Sequence, residues 1–89
     1  MKAIITVTGR DTVGIIAKVS SKCSEYNANI LDITQKVLGD MFVMIMMADI
    51  TGLNLKFTDF VDKMDEIGKQ NNLVIHTMHE DIFNAMHKI

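Results

Sequence analysis

The stretch Gly9-Arg10-Asp11-Thr12-Val13-Gly14-Ile15-Ile16-Ala17 joins two different hydrophobic periods, and its reading decides the fold. Before it, Ile4-Ile5-Thr6-Val7 is rich in β-branched residues and predicts a strand. After it, apolar residues recur at three- and four-residue steps and predict a helix. Between the two, Gly9 permits a tight exit from the strand, and Asp11 is placed to cap the helix by accepting backbone N–H bonds. A strand that runs through a short polar loop into a helix start presents unpaired N–H groups and the positive end of a helix dipole. Such a place suits a carboxylate or another small anion. Gly14 falls in the first helical turn of this reading, where alanine would favour the helix by roughly 1 kcal/mol. Two reasons for a glycine stay open there. Either something approaches the backbone closely, or the helix packs tightly on the sheet.

Outward from this stretch, the first strand covers residues 2–8 and the helix residues 12–27. Val13, Ile16, Val19, Cys23 and Tyr26 form its inner stripe, while Lys18, Ser21, Lys22 and Glu25 face water. Asn27-Ala28-Asn29 reads as a turn, since asparagine tolerates left-handed geometry. A second strand over residues 30–37 puts Leu31, Ile33 and Val37 on one face and Asp32, Thr34 and Lys36 on the other. Gly39-Asp40 supplies a hairpin turn. Residues 41–50 are apolar on both faces, which places that strand inside the sheet. Thr58 caps a second helix ending near Asn71, with Phe57, Phe60, Val61, Met64 and Ile67 inward. Asn71-Asn72 stops it, and residues 73–78 form the last strand. Residues 80–89 carry Ile82, Phe83, Met86 and Ile89 at helical spacing behind an acidic start, which predicts a short amphipathic helix.

The order β-α-β-β-α-β with right-handed crossovers gives an α+β, ferredoxin-like sandwich: a four-stranded antiparallel sheet with two helices on one face. Eighty-nine residues make one domain, with a core over 1–79 and a C-terminal helix over 80–89. A chain this short is marginal alone, yet 48% of it is hydrophobic. Apolar surface shared with another subunit reconciles the two, so a homodimer or higher oligomer is expected.

The net charge of −2 comes from scattered charges of both signs, which argues against direct nucleic-acid binding. No apolar run approaches the ~20 residues of a membrane span, and the N-terminus has no signal-peptide pattern, so the protein reads as cytoplasmic. The single cysteine, Cys23, excludes an internal disulfide and reads as a small core residue. His76 and His79 are three apart on a strand and point to opposite faces, while His87 sits on a separate helix, so no metal site is expected. Ser20, Ser21 and Ser24 have no histidine placed to activate them, and Asp59, Asp62, Asp65 and Glu66 read as a solvated helix face. Neither a phosphate-binding loop nor a dinucleotide fingerprint is present. No catalytic residues and no cofactor are expected. Among the eight methionines, Met41, Met44, Met46 and Met47 cluster in one strand, chiefly as core filler and secondarily as an adaptable surface.

The run Thr8-Gly9-Arg10-Asp11-Thr12-Val13-Gly14-Ile15-Ile16-Ala17-Lys18-Val19, followed by Asn27-Ala28-Asn29-Ile30-Leu31-Asp32-Ile33, resembles the ACT domain. In that family a Gly-x-Asp-x-x-Gly-Ile start precedes the first helix and an Asn-Ile-x-Asp turn opens the second strand. The resemblance covers residues 1–78 and is similar to small stand-alone bacterial ACT proteins and to half of the glycine cleavage system repressor. It implies sensing of an amino acid or other small metabolite at an interface between two domains. It carries ligand positions onto Gly9, Arg10, Asp11, Val13, Gly14 and Ile15 of one domain and Asn29 and Ile30 of its neighbour. Backbone N–H groups near Val13 and Gly14 would hold the carboxylate, and Asp11 or Asn29 the ammonium. Without an attached effector domain, whatever is regulated is expected to be a separate protein.

Three readings follow: a homodimeric amino-acid sensor, an interaction module that binds no ligand, and an acyl phosphatase using Arg10. Asp11 beside Arg10 would repel a phosphate, which counts against the third.

Overall fold

The computed structural model describes residues 1–10 and 14–86. Its elements are β1 (Lys2–Gly9), α1 (Ile15–Glu25), β2 (Asn29–Leu38), β3 (Met41–Asp49), α2 (Phe57–Gln70), β4 (Val74–His79) and α3 (Glu80–Met86). The strands form a 4-stranded sheet in the order β2-β3-β1-β4, and every neighbouring pair is antiparallel. This is the ferredoxin-like arrangement the element order predicts, with the strand that is apolar on both faces, β3, inside the sheet. Among the described residues, no helix is long and apolar enough to cross a membrane.

Strand alternation sends Ala3, Ile5 and Val7 of β1 and Phe42, Met44, Met46 and Ala48 of β3 to the helical side, where they are buried. Against them pack Ile15, Val19 and Cys23 of α1 and Phe60, Met64 and Ile67 of α2. Each fully buried large side chain in this layer contributes about 1.5–3 kcal/mol. Met44, Met46 and Met64 are fully buried, in keeping with the filler reading, whereas Met41 is exposed.

The helix limits differ from the sequence reading. α1 begins at Ile15, not residue 12, and ends at Glu25. Its inner stripe runs through Ile15, Val19 and Cys23, and Ile16 stands 38% exposed. Stepping back one residue at the start of the stripe keeps the i, i+4, i+8 spacing on one face, which Ile16 does not share. Thr58 is not the cap of α2. Lys56, with extended backbone, occupies that position, and no side chain caps the helix there.

β2 also departs from expectation. Leu31, Ile33 and Val37 are exposed, as is every residue from there to the hairpin turn. β2 is an edge strand that the helices do not cover, and a register shift between Ile30 and Asp32 bends its start. Ile30 alone of this strand packs partly against the core.

Among the described residues, the opposite face of the sheet is open except where α3 lies near β1 and β4. Ile4 points to that face, between Met47 and Met78, and is nevertheless 3% exposed. The tail does not bury the whole stripe read from the sequence: Phe83 is half-buried, but Ile82 and Met86 are 54% and 66% exposed. His87 and Ile89 lie outside the described residues.

Candidate functional site

Gly9 ends β1, and its position is fixed by a neighbour. A Cβ there would run into the Leu73 side chain, at the point where the α2–β4 turn crosses the strand end. Gly14 is required for a different reason. It is the residue before α1, not part of the first helical turn, and sits at φ +72° in the left-handed region. Among the described residues a Cβ would meet nothing within 4 Å, so helix–sheet packing does not account for it. Its carbonyl accepts the Lys18 backbone N–H at 3.0 Å, which closes the first turn of α1.

Arg10 projects from the loop into solvent, where its Nε lies 3.5 Å from Oδ2 of Asp40 in the β2–β3 turn. Asp11 and Val13, with the expected Asp11 cap, lie outside the described residues. Ile15 is 2% exposed and faces the core. At the other end of the chain's first half, Asn27 takes φ +63°, as its turn assignment requires, and donates from Nδ2 to the Gly52 carbonyl at 2.7 Å. Asn29 opens β2 opposite Asp49, and its side chain is exposed.

The two halves of the expected site do not meet within one chain. β1 and β2 are each antiparallel to β3, hence parallel to each other. Gly9 therefore stands at the end of the sheet where β2 finishes, and Asn29 at the end where it starts. A hollow of about 470 Å³ at the Gly9 end is lined by Thr8, Gly9, Arg10, Met41, Asn72 and Val74. A separate one of about 350 Å³ at the Asn29 end is lined by Ser20, Ser24, Asn27, Ala28, Asn29 and Ile30.

Asp40, Met41, Asn72 and Val74 stand beside the loop without any signal of their own in the sequence. The sheet order supplies one, because β4 must begin, and β3 must begin, where β1 ends. His76 and His79 fall on opposite faces, paired with Thr6 and Ala3, and the His79 ring lies 4.2 Å from that of Phe57. Burial pushes the Cys23 thiol up from 9.0 to about 11, so it stays protonated and unreactive. Among the described residues, no group of three or more histidine, cysteine, aspartate or glutamate side chains could hold a metal ion.

Comparison with known proteins gives a consistent family. The ACT domain profile matches residues 2–76. A UPF0237 protein of Listeria innocua is 42% identical over 89 residues, covering 100% of both chains. An ACT domain protein from Streptococcus pneumoniae superposes with a TM-score of 0.82 at 39% identity, covering 98% of each chain. A putative glycine cleavage system transcriptional repressor shares the fold, with a TM-score of 0.69 at 21% identity over 89% of this chain and 47% of its own. α3 falls beyond the profile match, whereas the Listeria relative aligns across it.

Proposed function

We propose that this chain, which belongs to the ACT domain family, senses an amino acid at an interface between two copies of itself and passes the state to a separate protein in the cytoplasm. ACT domains are commonly regulatory ligand-binding modules, and the reading here is regulatory and not catalytic. The proposed contacts are Gly9, Arg10, Asp11, Val13 and Gly14 of one copy with Asn29 and Ile30 of the other. Ile15, turned into the core, supports the helix start from behind.

The observation that carries this reading is the bare β2 edge together with the placement of the half-sites. A ten-residue edge strand with exposed Leu31 and Val37 is a template for another strand. Its sequence is self-complementary about Thr34. In an antiparallel pairing centred there, Asp32 of each copy stands opposite Lys36 of the other, Leu31 opposite Val37, and Thr34 opposite itself. Opposite charges, Thr–Thr and apolar pairs are the cross-strand combinations that stabilise a sheet. The same twofold carries the second copy's Asn29 to the sheet end that holds the Gly9 loop of the first.

Sedimentation and thermal melting with the standard amino acids test the reading. A ligand at about 100 times its dissociation constant stabilises the bound form by roughly 2.7 kcal/mol. Lys36→Asp sets like charges against each other at both ends of the pairing, so it should weaken the dimer and the ligand response together. Combining it with Asp32→Lys restores the pairing and should restore both. A monomer at micromolar concentration, or a melt indifferent to every amino acid, refutes the proposal and leaves the interaction module as the better reading.

A further inference from the structure

The sheet face turned away from α1 and α2 is apolar along β3. Strand alternation puts Val43, Ile45 and Met47 there, on the side opposite the buried Met44 and Met46. Ile45, at the centre of this row, stands 39% exposed. β2 gives the row a polar border. Its Asp32, Thr34 and Lys36 pair with Met47, Ile45 and Val43, so they share the face, and all three are exposed. An exposed apolar patch rimmed by polar residues marks an interaction surface.

The size of the face decides how another copy can cover it. Six rungs of four strands, ~3.3 Å apart along the strand and ~4.8 Å apart across it, span at most about 400 Å². Two single copies stacked on this face bury about 800 Å² together, short of the roughly 1,200 Å² of a stable interface. Joining two copies along β2 doubles the face. Two such pairs stacked together bury about 1,600 Å², the standard size.

The polar border fits that stack. In a pair joined along β2, the twofold through Thr34 is normal to the sheet and sets Asp32 of one copy beside Lys36 of the other. A second pair, laid on the first with strands aligned, is related to it by twofolds within the interface. Beneath each copy then lies one whose rungs run in the reverse order. Every Asp32 therefore faces a Lys36 across the layers as well as within its own, and like charges never meet. The same operation lays Val43 over Met47 and Ile45 over Ile45. Aligned sheets pack ~10 Å apart with about 30° between their strands, an angle that displaces the strands nearest the axis least.

We propose that this face binds a second β2-joined pair of the same chain, giving a dimer of dimers held by Ile45–Ile45 and Asp32–Lys36 contacts. This rests on the reading that two copies join along β2, and it adds a second, separable interface. Assembly is then ordered. Edge pairing comes first, because a single face is too small to hold another.

Sedimentation velocity of the full chain across micromolar concentrations tests it. The parent should pass from dimers to a species of four chains, without trimers. Ile45→Lys sets like charges against each other between the layers. It should raise the dimer–tetramer dissociation constant roughly a hundredfold or more, about tenfold for each of its two contacts. The dimer should survive, since the position is exposed already. Val43→Lys probes the same face independently. Lys36→Asp should leave monomers, and adding Asp32→Lys should restore the species of four chains. A parent that stops at dimers, or tetramers that persist in both lysine variants, overturns this inference while the β2 pairing stands. Folded monomers from Ile45→Lys would move the dimer contact to this face and overturn both.

Discussion

Replacing Gly14 by alanine isolates a backbone cost from a packing cost. At φ +72° and ψ 5° the residue is left-handed, and among the described residues an added Cβ finds nothing within 4 Å. No neighbour has to move, so the penalty is the local clash of Cβ with its own backbone, about 1–2 kcal/mol. Alanine also stiffens the unfolded chain, which returns part of that where the native conformation is compatible, but a positive φ is not. For a domain of this size each kcal/mol lowers the melting temperature by roughly 4–8 °C. Gly14→Ala should therefore melt about 4–16 °C below the parent. Gly14→Asn should fall less, because asparagine visits this region readily, and Gly14→Val should fall most. Circular dichroism melts of the three variants decide it. If alanine melts with the parent, or if asparagine is no better than alanine, the left-handed requirement is not what holds a glycine there.

Thr77 carries a buried hydroxyl without a hydrogen-bond partner, on the core side of β4 opposite Ile5. Thr77→Val removes an unpaired polar group at constant shape and should raise the denaturant midpoint, by about 1 kcal/mol of stability. Cys23 should resist alkylation at pH 8 in the folded protein and react once urea unfolds it. Its folded thiol holds the proton more tightly than the unfolded one, so its contribution to stability is intact below pH 9.0 and is lost as pH rises towards about 11. Urea titrations at pH 8 and pH 10.5 should show that fall, and Cys23→Ala should flatten it. Phe83→Ala should cost about 1–2 kcal/mol by removing a half-buried aromatic side chain, whereas Ile82→Ala on the exposed side of the same helix should stay within about 0.5 kcal/mol.

The strands and their order were legible because each carried its own signal: β-branched alternation in β1, a two-sided apolar run in β3, and Gly39-Asp40 between β2 and β3. Gly39 takes φ +65°, as that turn demands. Boundaries at helix starts were less legible. Thr58 looked like a cap by type, but capping depends on where the backbone leaves the extended region, and that happens at Lys56. The exposure of β2 was hidden for a similar reason. An alternating strand looks the same whether helices cover one face or not, and coverage is a property of the layer. For the candidate site, the sequence marked the loop and the Asn29 turn, and the resemblance assigned them to two neighbouring domains; strand direction supplies the physical reason, because it sends them to opposite ends of the sheet. It also gave no reason to attend to Asp40 or Val74, which join Arg10 only through the sheet.

In the proposed assembly, the placement of Gly9 and Asn29 at opposite ends of the sheet makes the amount of protein an input to the sensor. A copy that meets no partner holds two incomplete half-sites, so dilution disarms it at any level of metabolite. Linkage makes the effect mutual: whatever factor pairing adds to ligand affinity, ligand adds to pairing. A cell could then tune the threshold of such a device by synthesis and turnover of the chain alone, with no change to a residue that touches the ligand.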